Sequence, residues 1–296
     1  MNTKRNWRRL VGWLLLGVMV VGILSACSPK SQADAGAESI AEATVEPAVE
    51  ATAPAEPPAG EIPVLTITVV NGKLSAPDEV PSGPVAFVNE SGLPVEPVRL
   101  NDGVTFEQLT TTLAEDEEAV LDLVTLLGST DNAVGQIIYD LQPGQYVVAD
   151  TSEDGDALAG PITVGEPSGA TPPTADVHVD LVDFNFGIPS EIEAGPQLWQ
   201  ISNKGEQWHE MLIVKLNEGV TLDDVMAMIM SEDEPSGPPP FEEIAMWSPL
   251  GPGSTAWVTW DLPAGDYTVL CFLPDLKGDF QPHAAHGMVA DLTVTE

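Results

Sequence analysis

The chain repeats itself, and this internal repeat restricts the fold more than any other feature of the sequence. Three landmarks recur in the same order, 112 to 121 residues further along the chain. They are a Gly-Pro pair (83–84 and 195–196), a polar Gly-Val-Thr segment (99–105 and 215–221) and a Leu-to-Tyr turn (141–146 and 262–267). Landmarks that keep their order while their spacing changes slightly indicate duplication of one structural unit. The chain is therefore expected to hold two copies of one fold.

Each copy has the pattern of short strands. Apolar segments such as 65–70, 177–182 and 267–272 are bounded by Gly and Pro, which predicts strands of a β-sandwich. One interruption in each copy begins with Thr105 or Thr221 followed by acidic residues, as the first turn of a helix does. The pattern predicts an all-β fold of two sandwiches, each with a short helical insertion.

Shifts in composition mark the boundaries of the copies. Residues 27–62 are mostly Ala, Glu, Pro, Ser and Thr, and such a segment cannot bury enough apolar surface to fold. Residues 166–175 have a similar composition and predict a flexible linker. The expected domains are residues 63–165 and 176–296, as separate sandwiches on either side of this linker.

The N-terminal segment predicts export and lipid attachment. Four basic residues in the first nine precede an apolar run at 10–24, which is short for a membrane span and typical of a signal peptide. The run ends in Leu-Ser-Ala-Cys at 24–27, which resembles a bacterial lipobox. Residues 1–26 are thus expected to be a lipoprotein signal peptide, Cys27 the lipidated residue, and 27–62 a disordered tether. The mature chain would be anchored to the cell membrane, facing outside the cytoplasm; a plain anchor helix is the alternative.

The charge of the chain excludes one class of partner. The formal net charge is −36, and the first 26 residues carry four basic and no acidic side chains. Removing them leaves a net charge of −36 − 4 = −40, so the chain has no basic surface for nucleic acid. A protein partner would be basic, for example a basic redox protein, and attachment to the membrane would depend on the lipid at Cys27. Simple solubility outside the cell is the alternative explanation of the acidity.

The second copy contains the side chains that a copper site requires. Cys271 is the one cysteine besides Cys27, so an internal disulfide is not expected, and a lone exported thiol is either buried or held by a metal. Copper that cycles between two oxidation states binds two imidazoles and a thiolate in a plane, with a weak axial thioether. His209, His283, Cys271 and Met288 supply these groups, although each alone is more often an ordinary packed residue.

These residues stand in motifs that resemble one family. Segment 203–209 resembles a strand that ends in Asn and leads to a first His ligand, 262–271 resembles the turn and strand that lead to a Cys ligand, and 282–288 resembles the second His with its axial Met. Residues 176–296 therefore resemble the cupredoxins, of the plastocyanin and pseudoazurin kind. The resemblance implies two tandem cupredoxin-like Greek-key β-sandwiches and a type 1 copper site in the second, with His209, Cys271, His283 and Met288 as ligands.

The sequence departs from the family in two places. Eleven residues separate Cys271 from His283, against two to four in the small cupredoxins, so 272–282 must bulge outward and return His283 to the thiol. Copper nitrite reductases also have a longer loop. His286 is a competing imidazole, but it lies too close to Met288 for the family spacing. The first copy has Asp150 in the place of Cys271 and no His between 63 and 165, and it is expected to be a degenerate domain without metal ligands.

Three functions remain open at this point. The resemblance favours a membrane-anchored, extracytoplasmic copper protein that transfers single electrons and has no catalytic residues. A metal-free binding or scaffold lipoprotein on the same fold is the alternative. An enzyme resembling the two-domain copper nitrite reductases is the third, but it needs a second copper with further His ligands, and only His178 and His286 are left.

Overall fold

The computed structural model describes residues 60–152, 157–231 and 237–296. The predicted signal peptide, the lipidation site Cys27 and the tether up to residue 59 lie outside the described residues. Among the residues that the structure describes, no helix has the length and apolar character needed to cross a membrane.

The described part of the first copy forms strands β1 to β8 and one α-helix. The bounds are β1 Val64–Val70, β2 Lys73–Ser75, β3 Glu79–Asn89, β4 Val95–Leu100, α1 Phe106–Glu115, β5 Val124–Leu126, β6 Ile137–Leu141, β7 Gly144–Asp150 and β8 Leu158–Pro167, with a 3₁₀ helix at Glu117–Asp122.

The second copy has nine strands, β9 to β17, and one α-helix. The bounds are β9 Val177–Val182, β10 Asn185–Gly187, β11 Glu191–Glu193, β12 Gly195–Asn203, β13 His209–Leu216, α2 Leu222–Ile229, β14 Phe241–Leu250, β15 Thr255–Leu262, β16 Gly265–Leu270 and β17 Val289–Thr295, with a 3₁₀ helix at His283–His286.

Strand pairing follows one scheme in the two copies. In the first, β3 pairs with β1 in parallel and with β6 antiparallel, β4 lies between β5 and β7, and β7 pairs with β8. In the second, β12 pairs with β9 and β15 in the same senses, β13 lies between β14 and β16, and β16 pairs with β17. The predicted all-β class, with a helical insertion in each copy, is confirmed.

The landmarks of the repeat have a physical reason in each copy. The hydroxyl of Tyr146 donates to the carbonyl of Gln142 (2.9 Å), and the hydroxyl of Tyr267 donates to the carbonyl of Pro263 (2.8 Å). Each tyrosine therefore fastens the turn that precedes its own strand. The Thr residue at the second landmark caps a helix, and Thr221 forms a capping box with Asp224, which stabilises the start of α2.

The two copies share hydrogen bonds between their strands. Edge strand β6 pairs with β15 through Tyr139 opposite Ala256 and Ile138 opposite Trp257. A second contact is an isolated bridge between Leu127 and Leu250. The expectation of separate sandwiches thus differs from the structure, because an edge strand presents unpaired N–H and C=O groups that another edge can satisfy. The domain boundaries themselves stay a prediction.

A buried carboxylate lies where the copies meet. Glu96 of β4 is 7% exposed, and its oxygens accept hydrogen bonds from the backbone N–H of Gly128 (3.0 Å) and from the hydroxyl of Ser248 (3.1 Å). Ser129 also donates its backbone N–H to Ser248 (2.8 Å). A residue of the first copy is therefore bonded directly to a strand of the second.

Candidate metal centre

His209 is the first residue of β13 and is fully buried. The loop before it is shaped by Asn203, whose side-chain amide donates to the carbonyls of Gln207 (2.8 Å) and Leu250 (2.7 Å) and whose oxygen accepts from Gly205 N–H (2.9 Å). The motif at 203–209 thus places the imidazole at the end of the sheet.

Asp183 fixes the orientation of the His209 ring. Its Oδ1 lies 2.6 Å from His209 Nε2, and because a carboxylate only accepts, this nitrogen carries the proton and Nδ1 keeps its lone pair. Burial opposes ionisation of Asp183, but the backbone N–H of Glu206 and the contact with His209 lower the pKa of this carboxyl below its ordinary value. A Cβ on Gly205 would lie 2.3 Å from Asp183 Oδ1 and 2.7 Å from His209 Nε2, so this contact requires glycine.

Cys271 directly follows β16, the strand that pairs with β13. The residue is fully buried. Burial raises the pKa of its thiol well above the ordinary value, and the nearby carboxyl of Glu210 raises it further. The thiol is therefore neutral until a cation replaces its proton.

His283 completes a group of three donors. Its Nδ1 lies 3.1 Å from His209 Nδ1 and 3.4 Å from Cys271 Sγ, and one ligand atom from each of the three residues lies within 4.8 Å of the other two. Burial, followed by the neighbouring His209, lowers the pKa of His283 to about 4. Burial also lowers the pKa of His209, against the opposing effect of Asp183. Both rings are thus neutral at neutral pH and present lone pairs.

Met288 lies beside this group. It is fully buried, its N–H donates to His283 O (3.0 Å), and its carbonyl accepts from Cys271 N–H (3.4 Å). Gly287 before it has a φ of 100°, a conformation that glycine adopts without strain, and this turn leads the chain from the 3₁₀ helix into β17. The structure therefore brings Met288 next to the three donors, and the role of all four residues as ligands stays a prediction.

The donor set fits a copper ion. Two imidazole nitrogens and a thiol that converge in the dry interior, with a methionine beside them, are the groups that hold copper in trigonal electron-transfer sites. Nδ1 atoms only 3.1 Å apart leave room for one proton or one cation between them, because two lone pairs at that distance repel each other. A copper ion bound here would supply one-electron redox chemistry.

The long loop between Cys271 and His283 folds back on itself. Pro274 and Pro282 form an antiparallel bridge, and His283 N–H donates to Leu273 O (2.8 Å). The side-chain amide of Gln207 donates to Asp275 Oδ1 (2.9 Å), and its oxygen accepts from Leu276 N–H (3.0 Å). The eleven intervening residues therefore bulge outward and return His283 to the thiol.

His286 lies outside the group of three donors. Its ring stacks on Phe184, with centroids 4.9 Å apart, and its Nε2 lies 2.9 Å from Asp279 Oδ1. Phe184 also contacts the His283 ring at 4.6 Å. Phe184 therefore contacts the rings of both histidines.

Sequence reasoning missed two carboxylates at this site. Asp183 carries no local signal, because it is 26 residues from His209. Glu210 has one, since it is a charged residue at the start of the apolar run that follows His209. It is 2% exposed, it accepts a hydrogen bond from Phe272 N–H (2.8 Å), and burial raises its pKa to about 7.

The first copy keeps the frame of the site without its donors. Asn89 holds the equivalent loop, with its amide donating to Leu93 O (2.7 Å) and its oxygen accepting from Ser91 N–H (3.0 Å). Asp150, the last residue of β7, stands in the place of Cys271, which follows β16 in the second copy. The side chain of Asp150 accepts a hydrogen bond from Ser152 N–H. Among the described residues, both groups of His, Cys, Asp or Glu that could hold a metal lie in the second copy.

Comparison with known proteins gives matches to solved structures only. No family model and no curated protein matches the chain. The dithionite-reduced auracyanin of Roseiflexus castenholzii is 25% identical and covers 40% of this chain and 95% of its own, with a TM-score of 0.29. Auracyanin A of Chloroflexus aurantiacus, a "blue" copper protein, is 22% identical over 40% of this chain and 96% of its own (TM-score 0.27). Reduced rusticyanin is 22% identical over 40% and 78% (TM-score 0.25). All are cupredoxins, the family that the sequence motifs resemble.

Proposed function

We propose that this chain is an exported, lipid-anchored copper protein that carries single electrons through a type 1 site in its second copy. The observation that carries the proposal is the convergence of the His209, Cys271 and His283 donors within 4.8 Å, beside the buried Met288. Auracyanin A, which the chain resembles in structure, is described as a blue copper protein.

The geometry favours electron transfer over catalysis. All four proposed ligands are at most 1% exposed, so the group is closed, whereas catalytic metal sites keep an open position for water or substrate. His209 and Cys271 are held by paired strands, and His283 by backbone bonds to the loop. Donors fixed in this way move little when the charge of the ion changes, which keeps electron transfer fast.

Each side chain has a distinct role in this proposal. With copper bound, the Cys271 thiolate would give the strong covalent bond for electron transfer, the two Nδ1 atoms would be the nitrogen ligands, and Met288 would tune the reduction potential. Asp183 holds His209 in the required tautomer, as carboxylates next to metal-binding histidines do.

The location and the partner belong to the same proposal. Lipid at Cys27 would attach the chain to the outer face of the cell membrane, and the tether 27–62 would let the second copy reach a partner. The net charge of −36 for the whole chain supports a basic redox partner, because opposite charge raises the rate of encounter.

The experiment is metal analysis with an absorption spectrum of the purified chain. We expect one copper per chain and an intense visible band when the copper is oxidised, and Cys271→Ser should abolish the band because oxygen cannot replace the soft thiolate. Met288→Leu should keep copper and raise the reduction potential, because the oxidised ion loses its axial donor. His286→Ala is the matched control and should leave the spectrum unchanged. A chain that binds no copper would support the metal-free scaffold instead.

A further inference from the structure

A second group of donors lies on the inserted loop, outside the proposed copper site. His286 Nε2 lies 2.9 Å from Asp279 Oδ1 and 3.8 Å from Asp275 Oδ2. One ligand atom from each of these residues lies within 4.8 Å of the other two. None of the three is a proposed copper ligand, so their arrangement needs an explanation of its own.

Asp275 is held in place through one of its two oxygens. The residue is only 8% exposed. Its Oδ1 accepts hydrogen bonds from Gln207 Nε2 (2.9 Å) and from Lys277 N–H (3.1 Å). Its Oδ2 lies 3.8 Å from His286 Nε2, so a cation placed between these two atoms would contact both.

Gly278 lets the carboxylate of Asp275 lie against the backbone of the loop. A Cβ at this position would lie 2.0 Å from Asp275 Oδ2, so any other residue would displace the carboxylate. The imidazole of His286 is held as well, because it stacks on Phe184 with an interplanar angle of 28°. Both inner donors are thus positioned before a ligand arrives.

The loop does not neutralise this group with its own cation. Lys277 lies between the two aspartates in sequence, but its Nζ contacts Glu206 O (2.8 Å) and Glu206 Oε2 (3.4 Å) instead. The group therefore consists of two carboxylates and one imidazole, with no lysine or arginine side chain bonded to it among the described residues.

We propose that Asp275, Asp279 and His286 form a second metal site, for a divalent cation of the zinc type. The site has three protein donors, and the side chains of His286 and Asp279 are 28% and 59% exposed. A coordination position would therefore stay open to water, as in accessible Zn²⁺ sites. The imidazole disfavours Ca²⁺ and Mg²⁺, which take oxygen ligands. The ion would join the inserted loop to the 3₁₀ helix that carries both His283 and His286.

The experiment measures Zn²⁺ binding by titration calorimetry to the full chain, first loaded with one equivalent of copper. We expect one equivalent of Zn²⁺ to bind while the copper absorption stays unchanged. His286→Ala and Asp279→Asn should each weaken Zn²⁺ binding at least tenfold. The matched controls are His178→Ala and Asp291→Asn, which change exposed residues elsewhere in the second copy and should leave binding unchanged.

Two results would overturn the second site. One is Zn²⁺ binding that His286→Ala leaves intact, and the other is no Zn²⁺ bound beyond the copper site. Co²⁺ as a second probe separates this outcome from failure of the copper proposal. Cobalt at Cys271 gives a thiolate charge-transfer band that Cys271→Ser removes, whereas cobalt at the loop site gives only weak bands that His286→Ala removes.

Discussion

Replacing Glu96 by Gln should make the protein more stable at alkaline pH and remove part of its pH dependence. Burial raises the pKa of Glu96 from 4.5 to about 7, against the hydrogen bonds from Ser248, Gly128 and Ser129, which lower it. No Lys or Arg contacts this carboxyl among the described residues. The folded protein therefore either keeps Glu96 protonated or holds its negative charge without a counterion.

The sign of the effect follows from the two pKa values. The unfolded chain loses the Glu96 proton near pH 4.5, whereas the folded chain keeps it to about pH 7. The contribution of Glu96 to stability is therefore complete below pH 4.5, falls as pH rises towards 7, and stays lower above that. At about 1.4 kcal/mol for each pH unit, the loss is on the order of 3 kcal/mol.

Gln has nearly the same shape as Glu and carries no charge. Its oxygen can accept from Gly128 N–H, and its amide can donate to Ser248. Glu96→Gln should thus raise the free energy of unfolding at pH 8 by up to about 3 kcal/mol, with little change at pH 4.5. Glu210, whose pKa is also raised to about 7, and His283, whose pKa is lowered to about 4, should keep their own contributions of opposite sign to the pH dependence of the variant.

The assay is urea unfolding at pH 5 and pH 8 in one fixed metal state. Every tryptophan after residue 26 lies between 199 and 260, so fluorescence follows the second copy, while circular dichroism follows both. Glu191→Gln, a change at an exposed residue of β11, is the control. If Glu96→Gln changes stability equally at the two pH values, Glu96 is ionised in the folded protein and the reasoning is wrong.

Two further predictions concern the supports of the site and of the repeat. Gly205→Ala should weaken copper binding by about 10 to 100 fold, as loss of an orienting partner does, because the added Cβ displaces Asp183 from His209. Competition with a chelator measures the affinity, and an unchanged affinity would contradict the role of Asp183. Tyr267→Phe should cost about 1 kcal/mol in urea unfolding through loss of its bond to Pro263. Tyr146→Phe should cost more, because that hydroxyl both donates to Gln142 O and accepts from Gln142 N–H; equal costs would contradict this difference.

The sequence predicts those features that depend on local chemistry. The Leu-to-Tyr turn and the Thr-capped helix each depend on contacts within a few residues, so both could be predicted from the sequence. The position of His209 also depends on nearby residues, because the side chain of Asn203 bonds to Gln207, four residues further along the chain, and so shapes the loop before His209. Met288 and His283 are joined by a backbone bond within the same short turn. Each of these features lies within its own short segment of the sequence.

Contacts between distant segments could not be predicted in the same way. Glu96 reaches Ser248 across 152 residues, and nothing near Glu96 in sequence distinguishes it from a solvated carboxylate on a strand. The pairing of β6 with β15 depends on how two edges meet, since backbone groups pair with any complementary edge. Asp183 belongs to the same class, because its contact with His209 depends on the packing of β9 beside β12.

The inserted loop shows how the two copies differ while their frames agree. Both copies hold the loop after the corresponding strand with an Asn, Asn89 at the end of β3 in the first and Asn203 at the end of β12 in the second. Only the second adds Gln207, which bonds to Asp275 and so ties the loop before His209 to the loop before His283. The distance between the two imidazoles therefore depends on a contact that the first copy does not have. A longer loop need not loosen the site, because its added residues supply the carboxylate that Gln207 binds.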